Sequence, residues 1–264
     1  MSLVAHYNRL VRERVERADF TTEPGMNALL RLLGRWRSKL LANTLVARDG
    51  PTVQTGPFAG MIYAGKVTEG CIMPRLLGCY ESELHPAIEA FARQGLDAVV
   101  DVGCAEGYYA VGFARIMPGT VVHAFDIDVA AQTECAALAE ANGVSDRVLV
   151  QGEFRGEMFA GFADRSTLVF VDAEGFEDDL LDPELWPALK SMNVIVETHD
   201  AFRPGVCDRL IARFSPTHTI ERLENQPRLP PRPQWLKALG HMDQLIAIWE
   251  WRTSPTPWLV MTPR

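Results

Sequence analysis

From about residue 84 onward, short apolar runs alternate with longer stretches in which apolar residues recur every three or four positions. The first rhythm belongs to buried strands, the second to helices with one covered face. Residues 99–102, 121–126, 147–151, 167–171 and 193–196 read as strands, and 82–94, 129–141, 176–190 and 205–214 as helices. Such alternation, joined by right-handed crossovers, gives a mostly parallel sheet with helices on both faces. Two further strand-like runs, 218–223 and 244–251, have no long helix between them and predict an antiparallel end to that sheet. Before residue 49, Leu10, Val11, Val15 and then Leu29, Leu30, Leu32, Leu33, Trp36 and Leu40 alternate with arginines at helical spacing, which predicts two amphipathic helices. Residues 51–72 are glycine-rich and read as a hairpin. Residues 225–235 are too rich in proline for regular structure and form a candidate substrate cover, with Arg232, Trp235 and His241 as contacts.

The chemistry gathers where the predicted strands end. The first runs from Asp101-Val102 into Gly103-Cys104-Ala105-Glu106-Gly107 and then directly into a helix. Glycines there let the backbone approach a ligand, and the helix start offers free N–H groups. An ordinary tight strand-to-helix turn would look similar. A dinucleotide fingerprint wants Gly-x-Gly-x-x-Gly, but Ala105 and Tyr108 occupy the second and third glycine positions, which argues against a nicotinamide cofactor. The second strand ends in Asp126, a little over twenty residues on, where a carboxylate accepts hydrogen bonds from ribose hydroxyls. Asp128 reads as the cap of the next helix. Glu153 and Phe154 follow the third strand. The fourth and fifth strands deliver Asp172-Ala173-Glu174-Gly175-Phe176-Glu177 and Glu197-Thr198-His199-Asp200.

Composition sets bounds on these readings. The 264 residues carry a formal net charge of −8, yet residues 1–48 hold nine Lys or Arg against four Asp or Glu, leaving −13 on the remainder. An acidic body disfavours nucleic acid as an obligatory partner. The basic helices read as amphipathic with solvated outer faces, an RNA- or membrane-surface contact being the alternative, and as the surface through which a homo-oligomer would assemble. Five cysteines, odd in number and without CxxC spacing, suggest neither a disulfide framework nor a zinc site. With no run of about 20 apolar residues and no signal-like N-terminus, no membrane association and a cytoplasmic location are expected.

The Asp101 to Gly107 turn resembles motif I of the class I S-adenosylmethionine-dependent methyltransferases. The Asp-x-Glu-Gly-x-Glu run at residues 172–177 resembles the FkbM-type members, which are associated largely with O-methylation of hydroxyls on natural products and sugars. The likeness extends from Gly78-Cys79-Tyr80-Glu81 to Trp249-Glu250-Trp251-Arg252. It implies a Rossmann-like α/β fold with a mostly parallel seven-stranded sheet and an antiparallel C-terminal strand, spanning residues 84–264. Residues 1–83 would be a helical and glycine-rich extension for substrate capping or assembly.

Asp101 would then hold the methionine amino group through the turn and water, with Gly103, Cys104, Ala105, Glu106, Gly107 and Tyr109 around the methionine and ribose. Asp126 would take the ribose hydroxyls. Ile127, Glu153 and Phe154 would lie beside the adenine, with Asp172 at the methyl end. The sulfonium is already activated, so the protein needs only to align a nucleophile, exclude water and remove a proton. Two devices suit the removal of that proton, either Mg²⁺ held by Asp172, Glu197 and Asp200 or His199 as general base. The acceptor is expected to be a small molecule, with hydroxyl, amine and carboxylate all open. A non-catalytic assembly protein and a nicotinamide-dependent oxidoreductase are the readings from other classes; the second lacks a Tyr-x-x-x-Lys pair as well as the glycines.

Overall fold

The computed structural model describes residues 2–17, 19–64, 71–226 and 232–264. Seven strands form one sheet: β1 (Ala98–Val102), β2 (Val121–Phe125), β3 (Val148–Gln151), β4 (Thr167–Val171), β5 (Asn193–Glu197), β6 (His218–Leu223) and β7 (Trp258–Pro263). Their order is β3-β2-β1-β4-β5-β7-β6; β1 to β5 pair in parallel, and β7 runs antiparallel to both β5 and β6. Every residue of β1 and β4 is buried, as continuous valine-rich runs require when helices cover both faces.

Ten α-helices surround the sheet: α1 (Leu3–Arg17), α2 (Glu23–Asp49), α3 (Ile72–Leu77), α4 (His85–Ala92), α5 (Tyr108–Ile116), α6 (Val129–Ala141), α7 (Glu177–Leu180), α8 (Val206–Phe214), α9 (Gln234–Lys237) and α10 (His241–Ala247), counted among the described residues. Two apolar cores result. One joins Val99, Val122, Phe170, Ile195 and Trp258 to α4, α5, α6 and also to Leu41 and Leu45 of α2 and Met73, Leu76 and Leu77 of α3. The other joins Val100, Val102, Val169, Val171 and Val196 to Phe159, Leu189 and α8. Period-2 alternation along each strand divides its residues between these faces.

Local chemistry sets the ends of elements. Asp128 caps α6 as expected, its side chain accepting from the Ala130 N–H at 2.8 Å. Thr22 caps α2. Three sequence expectations are corrected. The run 244–251 is not a strand: Met242, Leu245 and Ile246 follow helical spacing in α10, and the antiparallel strand is Trp258–Pro263, an apolar run just past Pro255 and Pro257. The helix expected over 176–190 breaks into the single turn α7 and a 3-10 turn, Pro187–Ser191, because Pro183 and Pro187 remove amide donors. The glycine-rich hairpin reduces to one antiparallel bridge between Thr52 and Ile62, with residues 65–70 outside the described residues.

Candidate functional site

The register of the sheet assembles the site. Gln151, Phe125, Val102, Val171 and Val196 lie on one line across five parallel strands. The next residue of each strand is Gly152, Asp126, Gly103, Asp172 or Glu197, and all five line one cleft of about 900 Å³. Open α/β sheets bind ligands beyond the carboxyl ends of their strands, at the point where strand order reverses, here between β1 and β4.

Gly103 has φ +83°, and a Cβ there would sit 1.8 Å from the Asp172 carbonyl oxygen, so only glycine allows the β1 and β4 ends to close up. Gly107 has φ +92°, and a Cβ there would meet Cys135 Sγ at 2.6 Å; it serves the packing of α5 on α6 rather than the cleft. Ala105 also takes a positive φ, +46°, and donates its N–H to Asp126 Oδ2 at 2.9 Å. Asp126 Oδ1 accepts from the Asp128 N–H at 2.8 Å. Each carboxylate oxygen keeps a second lone pair for a ligand hydroxyl.

Of the expected cofactor residues, the cleft brings together Gly103, Ala105, Asp126, Ile127, Glu153, Phe154 and Asp172. Ile127 is 82% exposed, an uncovered apolar surface on the cleft wall, and Phe154 packs edge-on against Phe125. Glu153 pairs with Arg155. Asp101, Cys104, Glu106, Gly107 and Tyr109 lie behind the turn and do not line the cleft. Asp101 shares the buried face of Val99, and burial, then the charge of Asp126, pushes its carboxyl up to about 8. Glu106 is buried against Arg75 and Tyr63, and Tyr109 donates to Glu81.

The β4 and β5 ends converge on His199. Its Nδ1 lies 2.6 Å from Glu177 Oε1, while Nε2 is 3.4 Å from Glu197 Oε2, 3.6 Å from Asp172 Oδ1 and 3.8 Å from Glu174 Oε2. Burial alone would push the imidazole down; hydrogen bonds to Glu177 and Glu197 and the surrounding charges outweigh it and carry His199 to about 11. Burial opposes ionisation of Glu197 too, but the bond from His199 and the Arg252 charge hold it at about 2. Asp172 goes the other way: burial, then the Glu197 and Glu81 charges, push it well above the carboxylate range, and its Oδ1 is buried with no hydrogen-bond partner among the described residues. Asp172, Glu174 and His199 bring three ligand atoms within 4.8 Å of one another. Asp200 does not line the cleft; its Oδ1 accepts from the Gly205 N–H at 2.8 Å.

The opposite wall was hidden from sequence reasoning. Arg252 binds Glu197, Glu81 (2.6 Å) and Glu250 (2.9 Å), and Thr256 Oγ1 donates to Glu197 at 2.6 Å. Burial pushes Glu81 up to about 8 against the pull of Arg252. The signal was the dense run Trp249-Glu250-Trp251-Arg252, which the strand reading absorbed. Arg232, Trp235 and His241 do not line the cleft; Arg232 donates to Gln244 and Trp235 to Asp49, and residues 227–231 of that candidate cover lie outside the described residues.

No protein-family model matches the chain. No curated protein matches it either. Among solved structures it is similar to cofactor-bound Rv0187 from MTB, with 12% identity, TM-score 0.51, and 86% of this chain and 96% of that one covered. It also aligns with the O-methyltransferase from Bacillus cereus in complex with SAH, at 11% identity and TM-score 0.47 over 86% and 90% of the two chains. For the SAM complex of TomG, the O-methyltransferase from Streptomyces achromogenes involved in tomaymycin synthesis, the values are 12%, 0.46, and 86% and 89%. At such identities likeness speaks for fold alone, and the β3-β2-β1-β4-β5-β7-β6 sheet with its antiparallel β7 is the Rossmann-like methyltransferase fold.

Proposed function

We propose that the chain is an S-adenosylmethionine-dependent methyltransferase, FkbM-like, acting on a hydroxyl of a small molecule such as a sugar or other natural product. The observation that carries this reading is the single line of strand ends that brings Gly103, Asp126, Asp172 and Glu197 onto one cleft. The residues fit the cofactor. The volume lies within the usual range of small-molecule sites. The Gly103 backbone leaves room that a Cβ would fill, Asp126 has lone pairs for ribose hydroxyls, and Ile127 and Phe154 offer apolar surface for a purine. Asp101 acts on the methionine end only through the turn and water.

When bound, the cofactor supplies an activated methyl group on a sulfonium. The chain's own residues manage the acceptor proton. His199, at about 11, carries a proton at neutral pH and is a positioning cation rather than a base. Glu197, at about 2, is too weak a base. Asp172 is the proton acceptor once ionised: on its own it holds a proton, a cation lodged in the cleft favours loss of that proton to solvent, and the carboxylate then takes the hydroxyl proton. A divalent ion such as Mg²⁺ is the second device. Asp172, Glu174 and the Nε2 of His199 would hold it, the imidazole giving up its Nε2 proton to the incoming ion while Glu177 steadies the other ring nitrogen, and it would lower the pKa of a bound hydroxyl. Residues 1–83 we assign to the acceptor side, since Arg35, Arg75, Tyr80 and Glu81 wall the cleft there. Five buried free cysteines suit a reducing, cytoplasmic setting.

Calorimetry tests the reading. S-adenosylmethionine and S-adenosylhomocysteine should bind in the micromolar range, about −8 kcal/mol. Asp126→Ala should weaken binding by about 1–3 kcal/mol. Asp172→Asn should remove turnover and leave the affinity for S-adenosylhomocysteine unchanged. No heat and no thermal shift at millimolar ligand would remove the proposal.

A further inference from the structure

The acceptor side of the cleft is closed by one face of α2 against the 249–256 loop. Arg31, Gly34 and Arg35 stand three and four residues apart, hence on the same helix face. Arg31 Nη2 donates to the carbonyls of Trp251 and Arg252, both at 2.7 Å, and its guanidinium lies 5.6 Å from the centre of the Trp249 ring. A Cβ on Gly34 would come within 2.7 Å of that ring, so the small residue seats Trp249. Arg35 lies 5.1 Å over the ring of Trp251. Trp251 itself has φ +65°, a strained backbone for a residue other than glycine, and three contacts from α2 hold the loop in that shape.

Two hydrogen-bonding groups on this wall have no protein partner among the described residues. Arg252 is bound by Glu81, Glu197 and Glu250, and Arg75 by Glu106, but Arg35 has no hydrogen-bond or ion-pair partner among the described residues. The Trp251 indole N–H is buried and also has no partner among the described residues. Both residues line the cleft. A guanidinium stacked on an aromatic face keeps its in-plane N–H groups free, in the fork geometry that matches carboxylate and phosphate oxygens. Of the carboxylates on this wall, Glu81, Glu197 and Glu250 are engaged by Arg252.

We infer that the acceptor substrate is an anion, bearing a carboxylate or phosphate group held by the Arg35 guanidinium and the Trp251 indole N–H. This rests on the methyltransferase reading only for the word acceptor; the anion site stands on its own residues. The anionic group sits at the α2 wall, and the hydroxyl to be methylated faces Asp172 across the cleft.

Calorimetry on the full chain saturated with S-adenosylhomocysteine decides it, with phenyl phosphate, benzoate and the neutral benzyl alcohol as probes. The two anions should bind about tenfold or more tightly than benzyl alcohol, and the preference between them names the acidic group. Arg35→Gln, at an exposed position, should weaken the preferred anion about tenfold; Arg35→Lys should restore part of the loss; Trp251→Phe, which keeps the ring and drops the N–H, should cost about threefold. Affinity for S-adenosylhomocysteine should be the same in all variants. Equal binding of benzyl alcohol, or an anion affinity that Arg35→Gln does not change, overturns the inference. Arg35-dependent anion binding without any binding of S-adenosylhomocysteine would instead overturn the methyltransferase reading and leave the anion site in place.

Discussion

At the residue scale, the site is governed by how burial and neighbours divide protons among carboxyls that look alike in the sequence. Asp101, Asp126, Asp172 and Glu197 each lie within one residue of a strand's end, yet Asp101 is pushed up to about 8 and Glu197 is held at about 2. Pairing makes the difference: Glu197 has Arg252, Thr256 and His199, whereas one oxygen of Asp101 has no partner and the residue is 1% exposed. The folded state therefore binds the Asp101 proton more tightly than the unfolded chain, where Asp titrates near 3.9. The stability this contributes is complete below about pH 4 and is lost as pH rises through about 8. Asp101→Asn, neutral and nearly isosteric, should flatten that loss. Scanning calorimetry at pH 6 and pH 9 should show a smaller fall in melting temperature for the variant, and equal falls would contradict the assignment.

At the scale of elements, the turn between β1 and α5 shows what a sequence makes legible. Strand, glycine turn and helix were readable because each rests on local preference, and Asp128 announced itself as a cap by position alone. Why Gly103 must be glycine was not readable. The reason is the Asp172 carbonyl, supplied by a strand about seventy residues later, which would sit 1.8 Å from a Cβ. The same holds for Arg252 and Trp251, whose roles appear only once β7 pairs with β5 and folds the preceding loop over the cleft. Period failed at α10 because its end runs into the unbroken apolar stretch Leu245-Ile246-Ala247-Ile248, which a strand and a short helix share. Gly103→Ala should cost several kcal/mol, roughly 3 or more, since it adds both a clash and a strained φ. Gly152→Ala, at the equivalent end of β3, meets no atom within 4 Å and should be nearly neutral. Urea unfolding of the pair checks it: comparable losses would mean that the β1–β4 approach relaxes freely.

At the scale of the whole molecule, the N-terminal helices differ in how far they belong to the core. Helix α1 packs on α2 and buries only Tyr7, leaving Val4 and Val15 exposed. Helix α2 and the segments after it enter the main core through Leu41, Leu45, Met61, Met73, Leu76 and Leu77, each at most 3% exposed. Arg37 adds a bidentate pair to Asp243 of α10, tying α2 to the end of the chain that carries the 249–256 loop. Removing residues 1–20 should therefore lower stability modestly, by about 1–2 kcal/mol, the worth of one buried aromatic and its neighbours. Removing residues 1–83 takes away those six buried side chains, and Val53, Phe58 and Tyr63 with them, at roughly 1.5–3 kcal/mol each, which matches or exceeds the ~5–15 kcal/mol that holds a domain together. The shorter truncation should melt cooperatively a few degrees below the full chain and still bind S-adenosylhomocysteine. The longer one should show no cooperative transition and no binding. A cooperative, cofactor-binding fragment 84–264 would mean that α2 and α3 only lean on the sheet, and the wall they give the cleft would then be a detachable cover rather than part of the fold.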